Sequence, residues 1–208
     1  MNANWAEENL KTIRNLMEHA GLYRRAMAPV AIIVGVLGLA AAVFAQVVGW
    51  TDANRFASYW MGVGVISMLS ALLLIRSQAL KGDEKFWSPP TRRVAQAMAP
   101  MLAVGLGLGL LELLHAPMDR GGIRLASIWM ILYGGAVHSA GFFMQRGLRL
   151  LGWIFVIIGI ICLFISEFGE TSWLIDSQAH WVMGWAFGVN NLAYGLYLKL
   201  TAEPLETE

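Results

Sequence analysis

The chain reads as an all-α polytopic membrane protein, with six transmembrane helices arranged as three helical hairpin repeats behind an N-terminal amphipathic helix. Three observations carry that expectation. The first is composition: 57% of the 208 residues are hydrophobic and 14% charged, and the mean hydropathy is +0.57, well outside soluble usage. The second is the placement of the charges. Stretches free of Asp, Glu, Lys and Arg run over 26–51, 56–75, 94–111, 125–145, 150–166 and 177–198, with lengths of 26, 20, 18, 21, 17 and 22 residues. A spanning helix needs about 20 apolar residues rising about 1.5 Å each. The third is an internal repeat, which precedes any other reading. Ala26-Met27-Ala28-Pro29 returns as Ala97-Met98-Ala99-Pro100, and Ala57-Ser58-Tyr59-Trp60-Met61 returns as Ala126-Ser127-Ile128-Trp129-Met130. A third copy of the second motif stands at Ala179-His180-Trp181-Val182-Met183.

Residues 1–25 form the cytoplasmic segment before the membrane. Within it, 4–23 reads as an amphipathic helix: Asn4 caps it, Glu7 and Glu8 fill its first turns, and Trp5, Leu10, Ile13, Met17 and Ala20 share a face. Its polar, mixed-charge character is wrong for a cleavable signal peptide. Residues 26–200 form the six-helix domain, and 201–208 a cytoplasmic tail. Pro29 and Pro100 are expected in the first turns of helices one and three, where proline costs no hydrogen bond. In the intervening loop, 76–93, the stretch Trp87-Ser88-Pro89-Pro90-Thr91 reads as extended chain. Two helices per repeat give every copy the same orientation, around an axis along the membrane normal. Gly105 with Gly109, Gly184 with Gly188, and Ala136 with Ala140 are small pairs that permit close helix approach.

Orientation follows from the cations. In this scheme twelve of the 15 Lys and Arg residues lie on one side, and only Arg55, Arg120 and Arg124 on the other. Short loops with that bias place both termini in the cytoplasm. The partners implied are the lipid bilayer and a protein contacting 4–23 and 76–93; no basic patch suggests nucleic acid. The lone Cys162 offers neither a disulfide nor a thiolate cluster within one chain.

Candidate sites fall into two groups. Aligning the copies on Met61, Met130 and Met183 brings Leu69, His138 and Asn191 to one register, so Ser67, Ser70, His138, Ser139, Asn190 and Asn191 compose a mid-membrane polar layer. Intramembrane polar residues face the bundle interior and are ligand or transport candidates, or bond one helix to another. Toward the other face, Glu112, His115 and His180 supply N and O donors that a zinc-like ion accepts. A single Glu-x-x-His copy falls short of a di-metal bundle site. His138 and His180 differ in depth by roughly 15 Å at the helical rise and cannot share one haem iron. His19 falls in the polar N-terminal segment. Trp50, Trp60, Trp129, Trp173 and Trp181 suit an interfacial aromatic belt. Neither a nucleophile elbow, a P-loop nor His-Glu-x-x-His is present.

Tyr133-Gly134-Gly135, then Gln145-Arg146-Gly147-Leu148-Arg149-Leu150-Leu151-Gly152-Trp153 and Ile157-Ile158-Gly159-Ile160, resemble the HdeD-like acid-resistance membrane proteins over helices four and five. That resemblance implies a stress-linked role in a bacterial inner membrane and transfers no catalytic residue. The expectation is therefore a non-enzymatic stress-response, sensory or accessory protein without a cofactor. The alternatives are a small-solute or ion permease using His138, Asn190 and Asn191, and a metal- or haem-binding redox protein.

Overall fold

The computed structural model describes residues 27–50, 52–81, 89–114, 121–144, 146–168 and 176–201. All regular structure among them is helical: α1 Met27–Val48, α2 Ala53–Lys81, α3 Pro89–Leu114, α4 Gly121–Ala140, α5 Arg146–Phe168, α6 Asp176–Met183 and α7 Asn190–Leu200. A π-helical segment, Gly184–Val189, joins α6 to α7 without a break, so the last two make one rod. The amphipathic segment 4–23, the loop residues 82–88, His115, Trp173 and the tail from 202 lie outside the described residues.

Four helices are long and apolar enough to cross a membrane: Met27–Val48, Ala53–Leu80, Thr91–Leu114 and Arg146–Phe168. Taken separately, α6 and α7 are too short, at 8 and 11 residues, and α4 is a more buried element. Helix α4 carries Arg124, Tyr133 and His138, and buries eleven residues from Gly121 to Ala140. Its broadest interface is with α5, then α3, with smaller ones to α6 and α2.

Two apolar cores stack along the bundle. At the end bearing the 49–52 turn, Ala41, Ala42, Phe56, Ala57, Trp60, Ile123, Ala126, Ala179 and Met183 pack together, joining α1, α2, α4 and α6. Ala57, Ala126 and Ala179 occupy the same position of the three motif copies, and each is fully buried. Toward the opposite end, Met130, Val137, Leu151, Phe155, Cys162 and Ala186 join α4, α5 and the π segment.

Glycine sets the two tightest crossings. A methyl group added at Gly134 would stand 2.6 Å from the Gly152 carbonyl oxygen, and one at Gly152 would stand 2.6 Å from the His138 backbone nitrogen. Helices α4 and α5 therefore touch backbone to backbone. Across the bundle, α1 meets the last rod in the same way: a methyl at Gly35 would lie 2.6 Å from the Leu192 nitrogen, and one at Gly188 would lie 2.9 Å from the Leu39 nitrogen. Of the small pairs singled out in the sequence, Gly184 and Gly188 serve this second crossing. Gly109 instead admits side chains, Met61 Sδ at 2.8 Å and Trp129 Cζ2 at 2.9 Å from its added methyl. Arg124 Nε and Glu167 Oε1, 3.3 Å apart and exposed, tie α4 to α5 at the 49–52 end. An exposed pair of this kind adds about 0–1 kcal/mol.

The proline expectation needs correction. Helix α3 begins at Pro89, so Pro89 and Pro90 occupy its first turn and Pro100 lies inside it. Extended chain is thus replaced by helix from Pro89 onward, and α2 likewise runs on to Lys81. The physical reason is that a first-turn proline has its φ preset and forfeits no bond. The pair therefore starts a helix instead of barring one. Pro100 removes the donor that would reach the Gln96 carbonyl, a loss membrane helices tolerate.

Candidate functional site

The most highly organised polar feature is built from the turn between α1 and α2. Helix α1 ends in a Schellman arrangement: Gly49 N–H donates to Gln46 O at 3.2 Å and Trp50 N–H to Ala45 O at 3.4 Å. Gly49 takes the left-handed conformation, φ +73°, which this ending requires and glycine supplies without strain. The chain then reverses at once. Asp52 caps α2, its Oδ2 accepting from the Arg55 N–H at 3.1 Å, while its carbonyl receives the Phe56 N–H at 2.9 Å. Trp50 is thereby folded back over the bundle end with its carbonyl pointing inward.

That carbonyl meets His180. His180 Nε2 lies 2.7 Å from Trp50 O, and Trp60 Nε1 donates to His180 Nδ1 at 3.0 Å. An indole nitrogen is a donor only, so Nδ1 carries the lone pair and Nε2 the proton. The ring is a neutral imidazole spanning α2, α6 and the α1–α2 turn. It is 1% exposed and sits among aromatic rings, with centroids 5.1 Å from Phe56, 6.1 Å from Tyr59 and 6.3 Å from Trp60. Tyr59 donates its hydroxyl to Ala41 O at 2.7 Å, and Trp129 its indole N–H to Gly105 O at 2.8 Å. Trp60 is accordingly interior, at 4% exposure, whereas Trp181 is exposed as a belt residue would be.

Glu112 stands at the end of α3 against the start of α4. A methyl at Gly121 would fall 2.7 Å from its Oε1, and that buried oxygen has no hydrogen-bond partner among the described residues. His115 is outside the described residues. With both nitrogens of His180 engaged, the ring presents no free lone pair in this arrangement. Among the described residues no group of three or more His, Cys, Asp or Glu is gathered closely enough to hold a metal ion.

The polar layer is distributed over two interfaces. Asn191, 4% exposed, donates from Nδ2 to Phe187 O at 2.8 Å and is hydrogen-bonded to the Tyr133 side chain. Tyr133 meets Phe155 and Phe187 edge to face at 5.0 and 4.9 Å, and those two rings are tilted against each other at 5.3 Å. Asn190 follows the π segment, and its buried Nδ2 has no partner among the described residues. His138 turns away from both asparagines. Its Nδ1 lies 3.3 Å from Arg149 O on α5, and its ring packs edge-on against Phe142 and Trp153. Ser139 is half-buried beside it. Five residues separate Tyr133 from His138, about 7.5 Å along the axis and some 140° around it, so the two face different helices. The repeat register matches His138 with Asn191, but the side chain hydrogen-bonded to Asn191 is that of Tyr133.

Sequence reasoning missed Gly49, Asp52, Tyr133 and the π segment. The first two were legible as a glycine stop followed by an aspartate start, Gly49-Trp50-Thr51-Asp52. The π segment has no comparable sequence mark. Comparison of the chain with protein-family models, curated proteins and solved structures yields no match.

Proposed function

We propose that the chain is a non-enzymatic, six-helix multi-pass protein of a bacterial inner membrane, with both termini cytoplasmic. It acts as a stress-response, sensory or accessory component through its cytoplasmic segments 4–23 and 76–93. The observation that carries this reading is the disposition of the buried histidine: His180 spends both ring nitrogens on Trp60 and Trp50. A group committed in this way holds helices together and leaves nothing for substrate chemistry.

Three hairpins are supported by the common burial of Ala57, Ala126 and Ala179, which brings the even-numbered helices of the three repeats together in one core. A cytoplasmic contact surface is supported by the length of α2. Its 29 residues extend about 44 Å, beyond the roughly 30 Å hydrocarbon layer. The α2 and α3 ends near the 82–88 loop thus project into the aqueous phase, with Arg76, Arg92 and Arg93 exposed.

Deleting residues 1–23 tests the proposal. The shortened protein is expected to keep its thermal transition and helical circular dichroism but to lose cross-linked partner in membranes of its host. Undiminished recovery of the same partner would refute the role given to this segment.

A further inference from the structure

The folded-back Trp50 leaves a groove of about 410 Å³ at the α1–α2 turn, lined among the described residues by Trp50, Arg55, Ser58 and Tyr59. Two of its walls are fixed. Trp50 is held through its carbonyl by His180, Tyr59 through its hydroxyl by Ala41 O, and the rings meet edge to face at 5.2 Å. Its donors are the Arg55 guanidinium and the Trp50 indole N–H. Arg55 is exposed and forms no ion pair with any described carboxylate, in contrast to Arg124, which is paired with Glu167. The Asp52 carboxylate accepts the backbone N–H of Arg55. The Trp50 indole N–H makes no hydrogen bond among the described residues, and the Ser58 hydroxyl rests on the Arg55 carbonyl at 3.1 Å. A guanidinium beside an indole N–H, both without a partner among the described residues, selects an oxyanion.

The other side of the groove is apolar and continues down α1. Phe44 stacks against Tyr59 at 6.3 Å and meets Trp50 edge-on at 5.9 Å. Val43, Phe44 and Val47 are all exposed on α1, Val47 at 82%. Anion donors at the rim and a strip of bare hydrocarbon below it match one molecule with a charged head and an aliphatic tail. We propose that this groove binds a phospholipid, with the phosphodiester on Arg55 and the Trp50 N–H and an acyl chain along Val47, Phe44 and Val43. Arginine's planar fork suits phosphate geometry, and the Trp and Tyr rings suit headgroup depth. The proposal rests on the membrane-embedded reading above.

The test uses the full chain in mild detergent, with binding counted by native mass spectrometry against three probes. These are dihexanoyl-phosphatidylglycerol, the dihexanoylglycerol that lacks its phosphate, and inorganic phosphate. The phospholipid is expected to bind best, with the diacylglycerol and free phosphate each at least about tenfold weaker. Removing one charge-assisted contact in Arg55→Gln should weaken the phospholipid about tenfold, and Arg55→Lys should recover most of that loss. Equal binding by wild type and Arg55→Gln, or by the diacylglycerol, would overturn the proposal. Equal binding by inorganic phosphate would reassign the groove to a free anion. Flotation of wild type and Arg55→Gln with liposomes separates the premises: failure of wild type to float rejects the membrane reading. Flotation of both with unchanged phospholipid affinity rejects the lipid site alone.

Discussion

Gly152→Leu is expected to be the most damaging single substitution in the bundle, lowering stability by at least about 3 kcal/mol in an unfolding titration with denaturing detergent. Any side chain at that position points at the backbone of α4: the first added carbon would lie 2.6 Å from the His138 nitrogen and 2.7 Å from the Gly134 carbonyl oxygen. Backbone atoms cannot rotate out of the way as a flexible side chain can. The helices must separate, and Phe155 and Met130, fully buried beside the crossing, lose their contacts as they do. Gly152→Ala should show a smaller loss in the same direction, which keeps the comparison informative if the leucine variant does not fold. Gly62→Leu and Gly107→Leu serve as controls, because a carbon added at either meets nothing within 4 Å. Both should unfold within about 0.5 kcal/mol of wild type, as surface changes do. Equal sensitivity to leucine at all three positions would mean that α4 and α5 do not cross at Gly134 and Gly152.

His180→Phe is expected to cost about 2–4 kcal/mol, since it strands two buried groups at once, each carrying a penalty of about 1–3 kcal/mol. The Trp60 N–H loses its acceptor, and the Trp50 carbonyl loses its donor. Phenylalanine retains the ring and most of the volume, so the loss reports hydrogen bonding more than packing. Trp60→Phe should cost less, leaving only the Nδ1 lone pair unmet, and the double variant should fall short of the sum by about 1 kcal/mol, the coupling expected of groups in contact. Trp181→Phe, next along the chain but 49% exposed, should be near neutral. Full additivity of Trp60→Phe and His180→Phe would show that the two side chains are not bonded.

Much of the helical plan was legible because charge-free length is a direct physical requirement, and α1, α2, α3 and α5 satisfy it with hydrocarbon to spare. The ends were legible only where chemistry is unambiguous. Pro100 looked like a helix start because it shares four letters with Pro29, yet a proline's neighbours do not reveal whether a helix began eleven residues earlier. The earlier pair Pro89-Pro90 was the real start. Side-chain partners were harder still. Aligning the copies brought His138 and Asn191 to one register, but a π segment between Met183 and Asn190 shifts the face that the rod presents. Tyr133 thereby reaches Asn191 while His138 turns to α5. Trp60 looked like a belt residue because indole suits both interface and interior. Only the imidazole 120 positions away decides between them, and a pairing at that distance leaves no periodic trace. The repeated alanines were the better guide, since a residue without a polar atom or a rotamer is retained at one register only where space is short.

Side-specific labelling of single cysteines, in a Cys162→Ala background, tests the central claim of six crossings most directly. The account predicts that an impermeant maleimide applied outside intact cells modifies Thr51→Cys, Asp119→Cys and Ser172→Cys. Asn9→Cys, Asp83→Cys, Gln145→Cys and Glu203→Cys should react only after the membrane is opened. If instead only the four longest apolar helices crossed, α4 would remain outside and α5 would return the chain to the cytoplasm. Gln145→Cys would then be modified from outside and Ser172→Cys only from within, and that exchange of sides would contradict the account.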